Sequence, residues 1–456
     1  NQNFTTATDT YNTAVGFFAG LNVTTGTQNT FVGGLAGDAI DTASANVAMG
    51  YEALSTDTKG EQSVAIGYRA LKTQNQSTSA NAYNTAVGSQ AGTSVTTGTL
   101  NALIGGLAGD ALTTGDSNVV LGYNALSADT KGARSVAIGR DALISQNFTT
   151  ATNAVNVAIG DRSGDAVTTG VENTLIGGSS GGGLQDADFN VAVGASALTT
   201  DTLGSRSTAI GTSALQTQNF TTATDTYNVA VGFQAGKAVT TGVQNTLIGS
   251  LAGDALTTGN LNVAVGMHAL GGDTLGSRST ALGYSALLAQ NFTTATEVYN
   301  VAVGYEAGKA VTTGIRNTMV GGLAADAITT GQYNVAVGMG ALTTETTGSA
   351  NTAIGYLAIH NQNTESVAYN TAVGYEAGKL VSTGTQNTLI GALAGDALTS
   401  GDNNVVVGMN ALSADTLGDR AVAVGTEALA NQNFTTTTDN YNVAVGFHAG
   451  NDITTG

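Results

Sequence analysis

The sequence predicts an all-β chain: a parallel β-solenoid of about 25 coils, 17 residues per coil, with a 21-residue coil every fourth. Three observations carry this expectation: a phrase that returns at fixed period, a glycine that closes every copy of it, and the absence of Pro from all 456 residues. The phrase is YNTAVGFFAG at 11–20. It returns as YNTAVGSQAG at 83–92, YNVAVGFQAG at 227–236, YNVAVGYEAG at 299–308, YNTAVGYEAG at 369–378 and YNVAVGFHAG at 441–450. A catalytic motif is needed once, whereas copying to this extent marks a stacked architecture. A chain that needs nearly every backbone N–H for a sheet ladder has no place for Pro.

The period has two levels. The dipeptide Gln-Asn recurs with its Gln at 2, 74, 146, 218, 290, 362 and 432, so the gaps are 72 five times and then 70. Inside each block the closing glycine steps from Gly16 to Gly33, Gly50, Gly67 and Gly88, at intervals of 17, 17, 17 and 21. The series runs to Gly446, giving 25 short units, and the step from Gly355 to Gly374 is cut to 19. Seventeen residues are too few for a helix pair and suit one solenoid coil. At a strand spacing of about 4.8 Å, 25 coils would make a rod roughly 120 Å long. Residues 1–456 therefore read as one continuous shaft of 72-residue super-repeats starting near 2, 74, 146, 218, 290, 362 and 432. The chain opens and stops in mid-phrase, which reads as a piece of a longer fibre protein.

The strand is the segment ending at the glycine, as in Asn12-Thr13-Ala14-Val15, Asn46-Val47-Ala48-Met49 and Asn262-Val263-Ala264-Val265. Strand side chains alternate faces. One face carries Thr or Val and then Val, Ile or Met, a large β-branched set expected to line the lumen. The other carries Ala14, Ala48, Ala65 and Ala86, enlarged in the second coil of each block to Phe31, Leu103, Leu175, Leu247, Met319 and Leu389. Both faces are apolar, and one solenoid has one inside. The alanine row is therefore expected to meet an adjacent copy of the chain in a symmetric oligomer. Gly16, Gly33, Gly50 and Gly67 should take a turn that other residues resist. Asn12, Asn29 and Asn46 should stack as an amide ladder. A second turn signal follows at Thr24-Thr25-Gly26, Thr113-Thr114-Gly115 and Thr168-Thr169-Gly170.

Every fourth coil carries QNFTTATDTY or a close variant, at 2–11, 146–155, 218–227, 290–299 and 432–441. This Thr-rich loop is expected to project, with Phe4, Phe148, Phe220, Phe292 and Phe434 as candidate contacts to a cell-surface receptor or glycan. Repetition would then convert weak contacts into avidity. Tyr11, Tyr83, Tyr227, Tyr299, Tyr369 and Tyr441 close the loop and should pin it to the shaft. In the fourth coil, Asp129 with Arg134, Asp201 with Arg206, Asp273 with Arg278 and Asp415 with Arg420 are spaced for a salt bridge across a turn.

Composition excludes several classes. Lys plus Arg total 14 against 32 Asp plus Glu, a net charge of −18, which opposes nucleic-acid binding. No apolar run nears the roughly 18 residues of a membrane helix. With no Cys there is no disulfide and no thiol chemistry. The three histidines, His268, His360 and His448, are scattered. Asp38, Asp110, Asp254, Asp326 and Asp396 share one phase but recur only every fourth coil, too far apart for a calcium ladder. VGGSSGGGL at 176–184 lacks the Lys-Ser/Thr ending of a phosphate loop. No catalytic, cofactor or metal site is expected, and no enzyme.

SVAIG at 63–67 and 135–139, with Ala70 and Ala142 three residues after the glycine, resembles the head repeats of trimeric autotransporter adhesins of the YadA type. NVAVGYEAGKAVTTG at 300–314 is similar to repeats of phage tail fibres. The resemblance covers essentially the whole chain, although the coils are longer than those of YadA heads, and no heptad stalk, anchor or chaperone domain is present. It implies a left-handed parallel β-roll in a homotrimer, outside the cell or on the virion, serving as a fibre shaft or as an adhesin. A shaft presents a binding tip. An adhesin would bind through the repeated loops.

Overall fold

In the computed structural model, which describes residues 4–456, every coil contributes one three-residue strand, five pairs of two-residue strands such as Gly204–Ser205 with Thr224–Asp225 tie long loops to the fourth coils before them, and turns supply most of the rest. The chain divides into two units, Asn1–Tyr227 and Asn228–Gly456. The first stacks twelve such strands in a parallel, in-register ladder from Thr13–Val15 to Thr208–Ile210. The second stacks thirteen, from Val229–Val231 to Val443–Val445. Register is fixed by the repeat: Thr246, Leu247 and Ile248 lie beside Val263, Ala264 and Val265, each partner 17 residues on. Among the described residues there is no helix.

The two strand faces are reversed from the sequence expectation. The residue two before the closing glycine points into the lumen: Ala48, Leu103, Ala137, Leu247 and Ala264 are fully buried. The β-branched row points out, half-buried or exposed, with Val119, Leu121 and Ile104 at 44%, 48% and 40%. The alanines are small because a 17-residue coil encloses little space. The turn fills much of that space itself, since the residues three and four after the glycine, such as Ala53 with Leu54 and Ala125 with Leu126, are also buried.

Lumen sizes are complementary. Where the strand supplies Phe31, Leu103 or Leu247, the corner four residues past the closing glycine is Gly37, Gly109 or Gly253, and a Cβ there would lie 2.4, 3.0 and 2.8 Å from those side chains. Where the strand supplies Ala48 or Ala65, the corner is Leu54 or Leu71. In these second coils the enlarged residue thus fills room that the corner glycine vacates, and in the coil of Met319 the corner is the small Ala325, which keeps packing dense.

The closing glycines have a stricter requirement. Gly16, Gly33, Gly50 and Gly67 hold φ of +138, +134, +138 and +136°, a region closed to L side chains. A Cβ on each would stand 2.3–2.6 Å from the backbone oxygen of the next coil's glycine. Conformation and coil-to-coil contact both demand Gly, which is why no copy lacks it.

The asparagine ladder exists, but it runs mainly through the backbone. Asn29 Oδ1 accepts the Asn46 N–H at 3.0 Å, and Asn29 Nδ2 donates to the Ala43 carbonyl at 2.9 Å. Asn12 does the same toward the Asn29 N–H and the Gly26 carbonyl. Each amide bolts one coil to the next, half-buried at Asn12 and fully buried at Asn29 and Asn46. In several fourth coils the position is Ser, and the Gln of the long loop takes over. Gln146 Nε2 donates to Ser135 Oγ (3.2 Å) and Asp129 Oδ2 (2.6 Å), while its Oε1 accepts from Asn156 Nδ2 (2.9 Å). Gln74 with Ser63, Asp57 and Asn84 repeats this arrangement, as does Gln290 with Ser279, Asp273 and Asn300.

Candidate association face and long-coil loops

The outward strand face is the largest anomaly on the molecule. In all 25 coils the residue before the closing glycine is Val, Ile, Leu or Met, and the residue three before it is Val, Thr or Ala. No charge interrupts either column. The next outward position, just past the glycine, continues the stripe with Tyr51, Tyr68, Tyr123, Met267, Tyr284, Tyr305, Met339, Tyr356, Tyr375 and Met409. Three tyrosine pairs stack along it: Tyr51–Tyr68 at 6.0 Å between ring centroids, and Tyr284–Tyr305 and Tyr356–Tyr375 at 5.4 Å. The only charges in this third column, Arg140 and Asp161, neutralise each other at 2.8 Å. Sheet faces turned to water ordinarily carry polar residues, and an uncharged stripe of this extent departs from that pattern.

Beside the stripe, one residue before the Asn column, stands a row of left-handed residues rich in Arg and aromatics. Arg278 lies 5.7 Å over the Tyr299 ring, Arg316 5.5 Å over Tyr333, Arg420 5.5 Å over Tyr441 and Arg206 4.7 Å over Phe189. The fourth-coil arginines pair with the acid of the following loop: Arg206 with Asp225, Arg278 with Glu297 and Arg420 with Asp439. This corrects the expected bridges to Asp201, Asp273 and Asp415. Those carboxylates and Asp129 are fully buried and hold the loop, accepting the backbone N–H of Phe148, Phe220, Phe292 and Phe434 as well as the loop Gln.

The two loop aromatics exchange the roles assigned from sequence. Phe148, Phe220, Phe292 and Phe434 are only 6–9% exposed, so they anchor the loop and are withheld from a receptor; Phe4 is half-buried. The closing tyrosines stand out instead, and Tyr299 Oη donates to Glu297 within the loop. The loop presents its threonines, Thr149 and Thr150 in the copy at 146–155. Of the structural residues, Gly16, Gly33, Gly50, Gly67, Asn12, Asn29 and Asn46 all sit in the two ladders described above. The lumen role of the loop Gln was missed from sequence, although a signal existed: Ser63, Ser135, Ser207 and Ser279 each precede it by 11 residues.

The second-coil carboxylates are single and semi-buried. Burial pushes Asp38, Asp110, Asp254, Asp326 and Asp396 above their ordinary 3.8, and Oδ1 of Asp38, Asp110, Asp326 and Asp396 accepts no hydrogen bond. Buried Asp273 is raised as well, again chiefly by desolvation. A carboxyl raised in the fold favours the protonated native state, so its stabilising contribution is full below 3.8 and is lost as pH rises through the folded value. Self-repulsion from the net charge of −18 falls in the same direction. Thermal melts should therefore show the midpoint climbing as pH is lowered from 7 toward 4. A steady fall over that range would contradict this assignment.

Among the described residues, no group of three or more His, Asp or Glu side chains converges as a metal site, and no helix is long and apolar enough to cross a membrane. No family model and no curated protein matches the chain.

Proposed function

We propose that the chain is a non-enzymatic structural shaft of a fibre on the outside of a cell or virion. Three copies run side by side through their outward Val/Ile/Tyr stripes, and the assembly extends and presents a binding tip. The observation that supports this reading is the uncharged outer face. A covering partner must offer apolar groups at every strand step of about 4.8 Å, and a second copy of the same chain has that repeat built in. Packed sheets approach to about 10 Å with interdigitated side chains, and the Val, Ile and Thr columns suit that spacing. The number three follows the fibres that the repeats resemble.

Sedimentation equilibrium tests the proposal. The native chain should run at three times its 45.2 kDa. Replacing Val303, Val320 and Val337, outward in three successive coils, with Lys should weaken assembly, because unpaired charge buried in an interface is strongly unfavourable. A native mass equal to one chain would remove the proposal. The adhesin alternative draws on the exposed loop threonines, and exchanging the 21-residue coils for plain 17-residue coils separates the two readings: a shaft would keep its length and its number of subunits, and an adhesin would lose cell binding.

A further inference from the structure

One block departs from its siblings in several places at once. The fourth coil of the others has Asp129, Asp201, Asp273 or Asp415 in the lumen, and this block has Glu345. Arg134, Arg206, Arg278 and Arg420 become Ala350. The loop acid, Asp225, Glu297 or Asp439, becomes Val367, and the loop is two residues shorter. The first block has Gln62 and Asn81 at these two positions and the second pairs Arg134 with Asn153, so Ala350 is the one copy in which a long side chain is reduced to a methyl. An open slot of about 490 Å³ lies there, lined by Gln332, Tyr333, Ser349, Ala350, Val367 and Tyr369, a volume within the range of small-molecule sites.

Its walls are two tyrosine rings. Tyr333 and Tyr369 occupy the same column on either side of Ala350, two strand spacings or roughly 9.6 Å apart, and are 51% and 60% exposed. Arg316 covers the far face of Tyr333, which leaves its near face turned toward Ala350. Arg278 over Tyr299 and Arg420 over Tyr441 show which face of the closing tyrosine meets the fourth coil, and on Tyr369 that face is uncovered. A flat guest touching both rings at 3.5–4.0 Å would need only about 7–8 Å. The wider gap suits a puckered ring with hydrogens on both faces. The lining holds no charge, and Gln332 and Ser349 supply an amide and a hydroxyl at the rim. With Val367 at the position of the loop acid, the lining itself offers a guanidinium guest no counter-charge.

We propose that the slot between Tyr333 and Tyr369 is a binding site for one pyranose ring of a neutral saccharide, held between the two aromatic faces. This does not rest on the shaft reading, because the slot lies within a single chain. The test is saturation-transfer NMR on the full chain with methyl α-glucopyranoside, methyl α-mannopyranoside and methyl β-galactopyranoside, with methylguanidinium and p-cresol as cationic and flat aromatic probes. At least one pyranoside should show transfer, and Ala350→Arg, which restores the sibling residue, should abolish it. Tyr369→Ala should weaken binding about tenfold or more. Circular dichroism melts on both variants establish that the fold persists; if Ala350→Arg misfolds, Ala350→Gln serves as the filling variant. Transfer to no pyranoside, transfer unchanged by the filling variant, or binding of methylguanidinium or p-cresol alone would each overturn the proposal.

Discussion

Replacing Gly321 with Ala is expected to destabilise the second unit by about 3–5 kcal/mol, in the range reserved for severe backbone and packing defects, while the same change at its neighbour Gly322 should lie within about 0.5 kcal/mol. Gly321 holds φ +136°, and a Cβ there would sit 2.6 Å from the carbonyl carbon and oxygen of Gly338 in the next coil. Either the coils separate, breaking the ladder on both sides, or the backbone leaves its turn. At Gly322 an added Cβ meets nothing within 4 Å, so removing a glycine there restricts the unfolded chain at no native expense. Stacked repeats need not unfold in one step. Amide hydrogen exchange across Thr318–Val320 and Val335–Val337 is therefore the appropriate measurement. Equal protection in the two variants would show that the glycine ladder is not required.

The second large effect is expected at Asp273. Truncation to Ala strips the acceptor from Gln290 Nε2 (2.5 Å), from the Gly276 N–H (3.0 Å) and from the Phe292 N–H (3.4 Å), all in the interior. Each stranded donor costs about 1–3 kcal/mol, and Gln290 keeps only Ser279 and Asn300. A total loss of about 3–6 kcal/mol is expected. It should appear first as faster proteolysis in the loop at 293–297, because Phe292 is the anchor that the carboxylate holds. Asp273→Asn should fall between, since its amide nitrogen would face that of Gln290. A loss under about 1 kcal/mol on Asp273→Ala would show that the loop is held by other means. The block carrying Glu345 displays the naturally altered version: Asn351 Nδ2 and Gln362 Nε2 both remain buried without an acceptor.

Periodicity, coil length, parallel register and the glycine requirement were all legible in the sequence, because each follows from spacing alone. The direction of the faces was not. Ala-versus-Val alternation marks two faces without saying which is inside, and a row of alanines fits a tight lumen as well as a tight interface. The deciding residues lie off the strand. Leu54, Leu71 and Leu126 fold back from left-handed corners to occupy the interior, and a period-two reading of the strand does not see them. The same blindness hid the loop. Phe148 reads as a projecting contact until Asp129 is found beneath it, accepting its backbone N–H. The tyrosine slot was illegible for another reason: it is made by the absence of Arg and Asp from positions whose function shows only once Arg206, Arg278 and Arg420 are seen in place.

Within each unit, strands pair with neighbours only one coil away in sequence, mostly 17 or 21 residues on. The reach of a strand contact along the chain is therefore the same whether a unit has four coils or forty. Growth can proceed like a zipper from any nucleus, and loop-closure entropy does not rise with total length. It also follows that a duplicated or deleted 72-residue block joins seamlessly to what flanks it. Recombination between copies would thereby lengthen or shorten the chain without a new junction having to be invented.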